Sequence, residues 1–292
     1  MIAIFGPTSV GKTAVAIELA ELLRRRGEDP VAISCDSIAV YEGLEVLSGA
    51  PNAAEQRRFE HRLVGTVPIT EEFSAGRFAH LVHAEIDRAV DAGRRPILVG
   101  GTGLYMRVAL SELDLAPRVD PEVRAEVERR LRREGPEALH GELSTSTAAR
   151  IDPGDGKRIG RALELELSGA EPPEAKRELW TKELRRPALL VGLSASRAEL
   201  DARISERVEA MVAADVAAEI EAAEKAGASR TARAALGFSE FPAGEIEAVK
   251  TSHRRYARRQ ISWMRKMRGV REIDRTGVEP AATAAEIIAA LD

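Results

Sequence analysis

A single cysteine, Cys35, excludes an internal disulfide framework and fits a reducing compartment. It lies inside an apolar strand pattern with no nearby base to activate it, and reads as a small core residue. Aromatic residues make up only 4% of the chain. Of the five histidines, His80 and His83 share a helical face, but no third ligand lies near them, so a metal site is not expected there. No apolar run approaches the ~20 residues needed to cross a bilayer. Residues 1–5 lead straight into a glycine-rich loop rather than a secretion signal, so a cytoplasmic protein without membrane contact is expected. Acidic residues are missing from one particular place. Residues 250–271 hold nine Lys or Arg and no Asp or Glu, although the whole chain carries a formal net charge of −4. A solvated helix face would normally mix in acids, so this segment reads as a local surface for a polyanion.

What is present is the composition of a globular protein, 44% hydrophobic and 31% charged over 292 residues, enough for a large core. Residues 2–5 form a continuous apolar run, as expected of a buried parallel strand. A glycine-rich loop and a helix over 14–26 follow. Further strands are predicted at 31–35, 96–99 and 188–193, with a helix over 78–92 between the first two of these. Alternating strands and helices with short connections predict an α/β fold: a P-loop NTPase-like parallel sheet flanked by helices. From about residue 114 the pattern becomes helical and highly charged, over 120–133 and 150–167, up to a Pro172-Pro173 break. Residues 114–185 are therefore expected to form a helical subdomain inserted in a core of 1–113 and 186–292. Residues 200–225 and 245–267 are predicted as long C-terminal helices.

The loop Gly6, Pro7, Thr8, Ser9, Val10, Gly11, Lys12 and Thr13 fits G-x-x-x-x-G-K-[ST] between a strand and a helix. Its glycines allow backbone N–H groups to wrap phosphate oxygens, and the helix N-terminus adds partial positive charge. Lys12 supplies a mobile cation, and the Thr13 hydroxyl can ligate Mg²⁺. Small-molecule kinases built on this loop usually end a neighbouring strand in a carboxylate. Here strand 96–99 runs into Gly100, Gly101 and Thr102 instead. The obvious acid is Asp36, at the carboxyl end of strand 31–35 and so on the same rim. It could bind the metal, take a proton from a nucleophile, or merely cap the turn with Ser37. Thr102 could donate a hydrogen bond into the cleft, cap the next helix, or do both.

Five blocks follow one another in order. They are the loop 6–13, Asp36-Ser-Ile-Ala-Val-Tyr41, Gly100-Gly-Thr-Gly-Leu-Tyr105, Arg150-Ile-Asp-Pro-Gly-Asp-Gly-Lys-Arg158 with Arg161-Ala-Leu-Glu164, and Arg255-Tyr-Ala-Arg-Arg-Gln-Ile-Ser-Trp263. Together they resemble the tRNA dimethylallyltransferase (tRNA isopentenyltransferase, IPP transferase) family over nearly the whole chain. The resemblance implies that the loop holds the diphosphate of dimethylallyl diphosphate. It also implies transfer of the prenyl group to N6 of the adenosine beside the anticodon, position 37, in tRNAs reading codons that begin with U. By the same resemblance Asp36 accepts the amine proton, Thr102 positions the reacting groups, and Arg207 (less favourably Arg203) binds diphosphate, with Mg²⁺ as cofactor. The implied tRNA contacts are Asp36, Ser37, Ile38, Ala39, Gly103, Arg158, Arg161, Gly237, Phe238, Arg255, Arg259, Gln260, Trp263 and Arg265. The insertion becomes a clamp on the anticodon stem–loop, and the enzyme a monomer.

The residues themselves agree. Arg254, Arg255, Arg258 and Arg259 recur at helical spacing, and Tyr256 and Trp263 can stack on bases, although Trp263 reads equally well as core. The chain departs from the family pattern at 47–51, where a customary lysine is missing, at His61-Arg62 and at Asp152-Pro153. Two other activities are weighed. Prenyl transfer to a free adenine nucleotide would need neither the basic helix nor the insertion, and a small-molecule kinase would need the missing strand-end carboxylate.

Overall fold

The computed structural model describes residues 1–112, 117, 119–170 and 183–291. These form two compact units, Met1–Glu112 with Lys182–Asp292 and, separately, Leu113–Thr181. The Pro172-Pro173 break expected from sequence lies outside the described residues.

The first unit is built on six strands: β1 (Ile2–Phe5), β2 (Pro30–Ser34), β3 (His61–Arg62), β4 (Arg95–Gly100), β5 (Leu189–Ser194) and β6 (Val270–Asp274). They lie in the order β3-β2-β4-β1-β5-β6, and every pairing is parallel. β1 is buried at all four positions because sheet neighbours and helices cover both its faces, which is why it reads as an unbroken apolar run. The register sets Phe5 beside Gly100 and Ser34 beside Val99. The loops that leave β1, β4 and β2 consequently start level with one another on one rim.

Helices α1 (Lys12–Arg25), α2 (Glu45–Ser48), α3 (Ala53–Arg58) and α4 (Ala75–Asp91) connect the first four strands, and α5 (Gly103–Leu110) follows β4. The second unit contains α6 (Pro121–Glu134), α7 (Pro136–His140), α8 (Thr145–Ala148) and α9 (Gly156–Leu167). After β5 come α10 (Arg197–Ala213), α11 (Val216–Lys225), α12 (Arg230–Arg233), α13 (Ile246–Lys266) and, beyond β6, α14 (Pro280–Ala289). Val15, Leu19 and Leu23 of α1 join Ile4, Val191, Ala284 and Ile287 in the main core. The second unit has its own small core of Val127, Leu139, Leu143, Ile159, Ala162 and Leu163. In that unit Glu166 accepts hydrogen bonds from both the backbone N–H and the hydroxyl of Ser144.

Two expected helices are each shorter than the sequence pattern suggests. The stretch 200–225 divides at Asp215, which adopts left-handed backbone (φ 56°, ψ 47°) and caps α11 by accepting from the Ala218 N–H. Aspartate tolerates that conformation without a glycine to advertise it. Likewise 150–167 is not continuous: residues 152–155 form a turn, and Asp155 caps α9 through the Arg158 N–H. β3, β6 and α14 were not predicted. β6 is an edge strand with only Ile273 buried, so it lacks the apolar run that marks a central strand.

Candidate functional site

The loop after β1 is held open by groups outside it. Ser9 (φ 62°) and Gly11 (φ 87°) both occupy left-handed backbone, and only Gly11 does so without steric cost. A Cβ at Gly11 would overlap the Arg275 guanidinium, which is buried behind the loop and donates to the Val10 carbonyl. Arg203 donates to the same carbonyl at 3.4 Å while paired with Glu199. The Val10 side chain is wholly buried in the main core, so an apolar residue fits where only the backbone faces the rim. On the other side, the Thr8 N–H donates to Oε1 of Gln260 at 2.7 Å. The Ser9 hydroxyl oxygen is buried without a partner among the described residues.

Lys12 begins α1 and folds back over the loop, donating from Nζ to the carbonyls of Gly6 (3.1 Å) and Pro7 (2.8 Å). Burial first, then the Arg207 charge, lowers its ammonium to about 8, with Asp36 pulling the other way. Arg207 reaches this cluster from α10. Its Nη2 donates to the Ser48 carbonyl at 2.6 Å, its Nε is buried without a partner among the described residues, and it feels Asp36. Of the two candidate arginines, the structure therefore brings Arg207 toward Lys12 and Asp36, and fixes Arg203 behind the loop.

Asp36 leaves β2 half-buried, with Oδ1 accepting from the N–H groups of Ile38 (2.9 Å) and Ala39 (3.2 Å). Oδ1 thus caps the turn, a role the sequence left open, and Oδ2 takes no part in either of these bonds. Burial, then Asp36, pushes the neighbouring Cys35 thiol far up, so it stays a protonated core residue. Thr102 stands at the N-cap of α5 but makes no side-chain cap bond. Its Oγ1 lies 3.3 Å from the Tyr256 hydroxyl instead. Burial, reinforced by Asp36, pushes that phenol up to about 12, so it stays neutral, and either hydroxyl of the pair can donate to the other.

Helix α13 lies over these loops. Tyr256, Gln260 and Trp263 recur at i, i+4 and i+7 on one face. The Trp263 indole covers Gly103, where a Cβ would collide with its ring. Gln260, expected among tRNA contacts, is only 3% exposed, and both ends of its amide bond the protein. The opposite face exposes Arg255, Arg258, Arg259 and Arg265. None of Arg255, Arg258 and Arg265 has a carboxylate partner among the described residues, and Arg259 lies 5.7 Å from the Tyr256 ring centre.

The remaining expected tRNA residues are divided. Ser37 and Ile38 are half-buried and Ala39 is buried. Phe238 is 5% exposed and belongs to the core, beside Gly237 at φ 90°. In the second unit Arg158 is exposed and paired with Asp155, while Arg161 is tied to Glu164 and to the Pro117 carbonyl. Among the described residues no three His, Cys, Asp or Glu side chains gather as a metal cage. His83 instead bonds the Val108 carbonyl.

A family model described as IPP transferase matches residues 39–267. The chain belongs to the IPP transferase family. It is 41% identical over 283 residues to the tRNA dimethylallyltransferase of Anaeromyxobacter dehalogenans (strain 2CP-C), covering 92% of this chain and 93% of that one. The tRNA dimethylallyltransferase of Thermobifida fusca (strain YX) is 40% identical over 281 residues, covering 91% and 87%. The crystal structure of the tRNA isopentenylpyrophosphate transferase from Bacillus halodurans superposes with a TM-score of 0.71 at 30% identity, over 99% of this chain and 94% of that one. In this member of the IPP transferase family, Arg275 is a loop anchor that the sequence did not reveal, while Gln260, expected as a tRNA contact, is buried against the loops. Arg275 follows an edge strand with no motif around it.

The lowered Lys12 ammonium has two consequences of opposite sign. Without added metal, affinity for inorganic pyrophosphate is expected to hold below pH 8 and weaken as pH rises through about 8, because Lys12 loses its charge. Between about 8 and the ordinary lysine value the unfolded chain binds more protons than the folded one, so folding stability rises there. Calorimetric titration across that range checks the first consequence, and an affinity that does not fall contradicts the role of Lys12.

Proposed function

We propose that the chain transfers the dimethylallyl group from dimethylallyl diphosphate to N6 of adenosine 37, beside the anticodon, in tRNAs reading codons that begin with U. The C–N bond forms at the allylic carbon, the C–O bond to diphosphate breaks, and the N6 proton passes to the Asp36 carboxylate. The observation that carries this reading is the placement of Asp36 within the field of two desolvated cations, Lys12 and Arg207, on the rim of the phosphate loop. Charge growing on a departing diphosphate is stabilised by such fixed cations far better than in water. Asp36 serves as the base because a carboxylate within reach of the amine can remove its proton as the bond forms.

The donor set fits Mg²⁺: Thr13 offers a hard hydroxyl oxygen beside Lys12, and diphosphate and water would complete the shell. When bound, the ion neutralises leaving-group charge. The loop amides, Lys12 and Arg207 orient the diphosphate, and Thr102 with the protonated Tyr256 hydroxyl orients the reacting groups.

The exposed arginine face of α13 favours RNA over free adenine nucleotides, and the absence of a carboxylate at the end of β4 disfavours a kinase. Arg255, Arg259 and Arg265 meet backbone phosphates of the anticodon stem–loop, the adenine leaves its stack to reach Asp36, and the 114–185 insertion clamps the stem. No helix among the described residues is long and apolar enough to cross a membrane. The enzyme acts as a cytoplasmic monomer in this reading.

Asp36→Asn keeps the Oδ1 that caps the turn and removes the base. Turnover is expected to fall by about 10²–10⁴ with the fold and donor affinity retained. Steady-state kinetics check this, and near-wild-type turnover contradicts the assignment. Changing Arg255 and Arg259 together to Ala is expected to make the salt dependence of tRNA affinity shallower by about 1.5 in log–log slope. An unchanged slope in a filter-binding series contradicts phosphate contact.

A further inference from the structure

Gln260 is the one described side chain that bonds both the phosphate loop and the loop after β4. Its Oε1 accepts from the Thr8 N–H at 2.7 Å, and its Nε2 donates to the Gly101 carbonyl at 2.8 Å. A Cβ at 101 would overlap Nε2, so any other residue there would push the Gln260 amide out of this position. The residue is buried, so both bonds lie out of water and neither backbone group has solvent as a substitute. Glutamine alone combines an acceptor and a donor at this reach without charge: glutamate loses the donor, and methionine, of similar length, loses both.

Two features give the latch a consequence beyond packing. First, it withdraws the Thr8 amide from the anion cradle, so that this N–H sets the shape of the loop and leaves phosphate to Ser9, Gly11, Lys12 and their neighbours. Second, Gln260 follows Arg259 directly and lies within one helical turn of Arg258 and Trp263 and within two of Arg255, while Tyr256 on the same helix holds Thr102. A rigid helix thus carries the arginine face on one side and the contacts to two site loops on the other.

We propose that Gln260 is a positioning residue that couples the arginine face of α13 to the phosphate loop, so that an RNA seated on that face tightens the grip on diphosphate. Coupling of this kind is reciprocal: diphosphate tightens RNA binding by the same factor. The coupling half rests on the RNA reading of α13 proposed above; the latch on the phosphate loop does not.

The test uses the full-length protein, inorganic pyrophosphate and an anticodon stem–loop RNA. In Gln260→Met the pyrophosphate Kd is expected to rise about tenfold, the loss of one net hydrogen bond's worth of affinity. The RNA Kd measured alone is expected to stay within about twofold. In turnover, the KM for the allylic diphosphate rises, and at saturating allylic diphosphate the KM for tRNA rises as well, because the reciprocal coupling is lost. Equal pyrophosphate affinity in variant and wild type, or lost RNA affinity with pyrophosphate binding intact, overturns the proposal. Should the variant not fold, hydrogen exchange in the wild type decides. Amides of residues 6–13 are expected to exchange more slowly with RNA bound, and exchange indifferent to bound RNA overturns the coupling. A wild-type protein that binds pyrophosphate through the latch but takes up no RNA would sink the functional reading and leave the latch standing.

Discussion

A loop that turns its amides toward an anion gives up the backbone hydrogen bonds that would otherwise fix its shape. Something outside the loop must hold it, and much of the rest of the site follows from that need. Arg275 and Arg203 secure the Val10 carbonyl from behind, Gln260 secures the Thr8 amide from the side, and Lys12 spans the Gly6 and Pro7 carbonyls. These anchors come from the end of β6 and from α10, α13 and α1. Chain segments far apart in sequence therefore converge on one strand end. The parallel sheet makes this possible, because all its strands finish on the same rim and deliver Asp36 and Thr102 to the places beside the loop.

The electrostatics carry a cost. Lys12 and Arg207 are both desolvated and repel each other, with Asp36 the acid that offsets them. Burial lowers the Lys12 ammonium to about 8, so at neutral pH the folded state keeps that charge but holds it less firmly than water would. A polyanionic ligand would offset that desolvation cost, so a site of this kind favours anions over neutral molecules. The opposite shift at Tyr256 leaves a neutral hydroxyl next to Thr102.

The strand–loop–helix of the phosphate site was legible because a buried parallel strand reads as an apolar run and the loop has fixed glycine positions. Asp36 and Thr102 were found by asking what stands at the ends of neighbouring strands. Other parts left little trace. The break at Asp215 lacks a glycine or proline, and β6 has a single buried side chain, so neither carried a pattern. Gln260 and Phe238 lie within blocks that resemble RNA-contacting motifs, yet both side chains are buried. A motif identifies a position, whereas its exposure depends on which face of a helix or turn meets the sheet. Arg275 was invisible because its role depends on where an edge strand ends, a tertiary fact.

The account is tested most directly by following labelled dimethylallyl diphosphate in the presence of unmodified tRNA and of AMP. Label is expected to appear on the adenine N6 of tRNA, with diphosphate released, and not on AMP. Label reaching AMP alone, or ATP turnover with neither acceptor labelled, would contradict it.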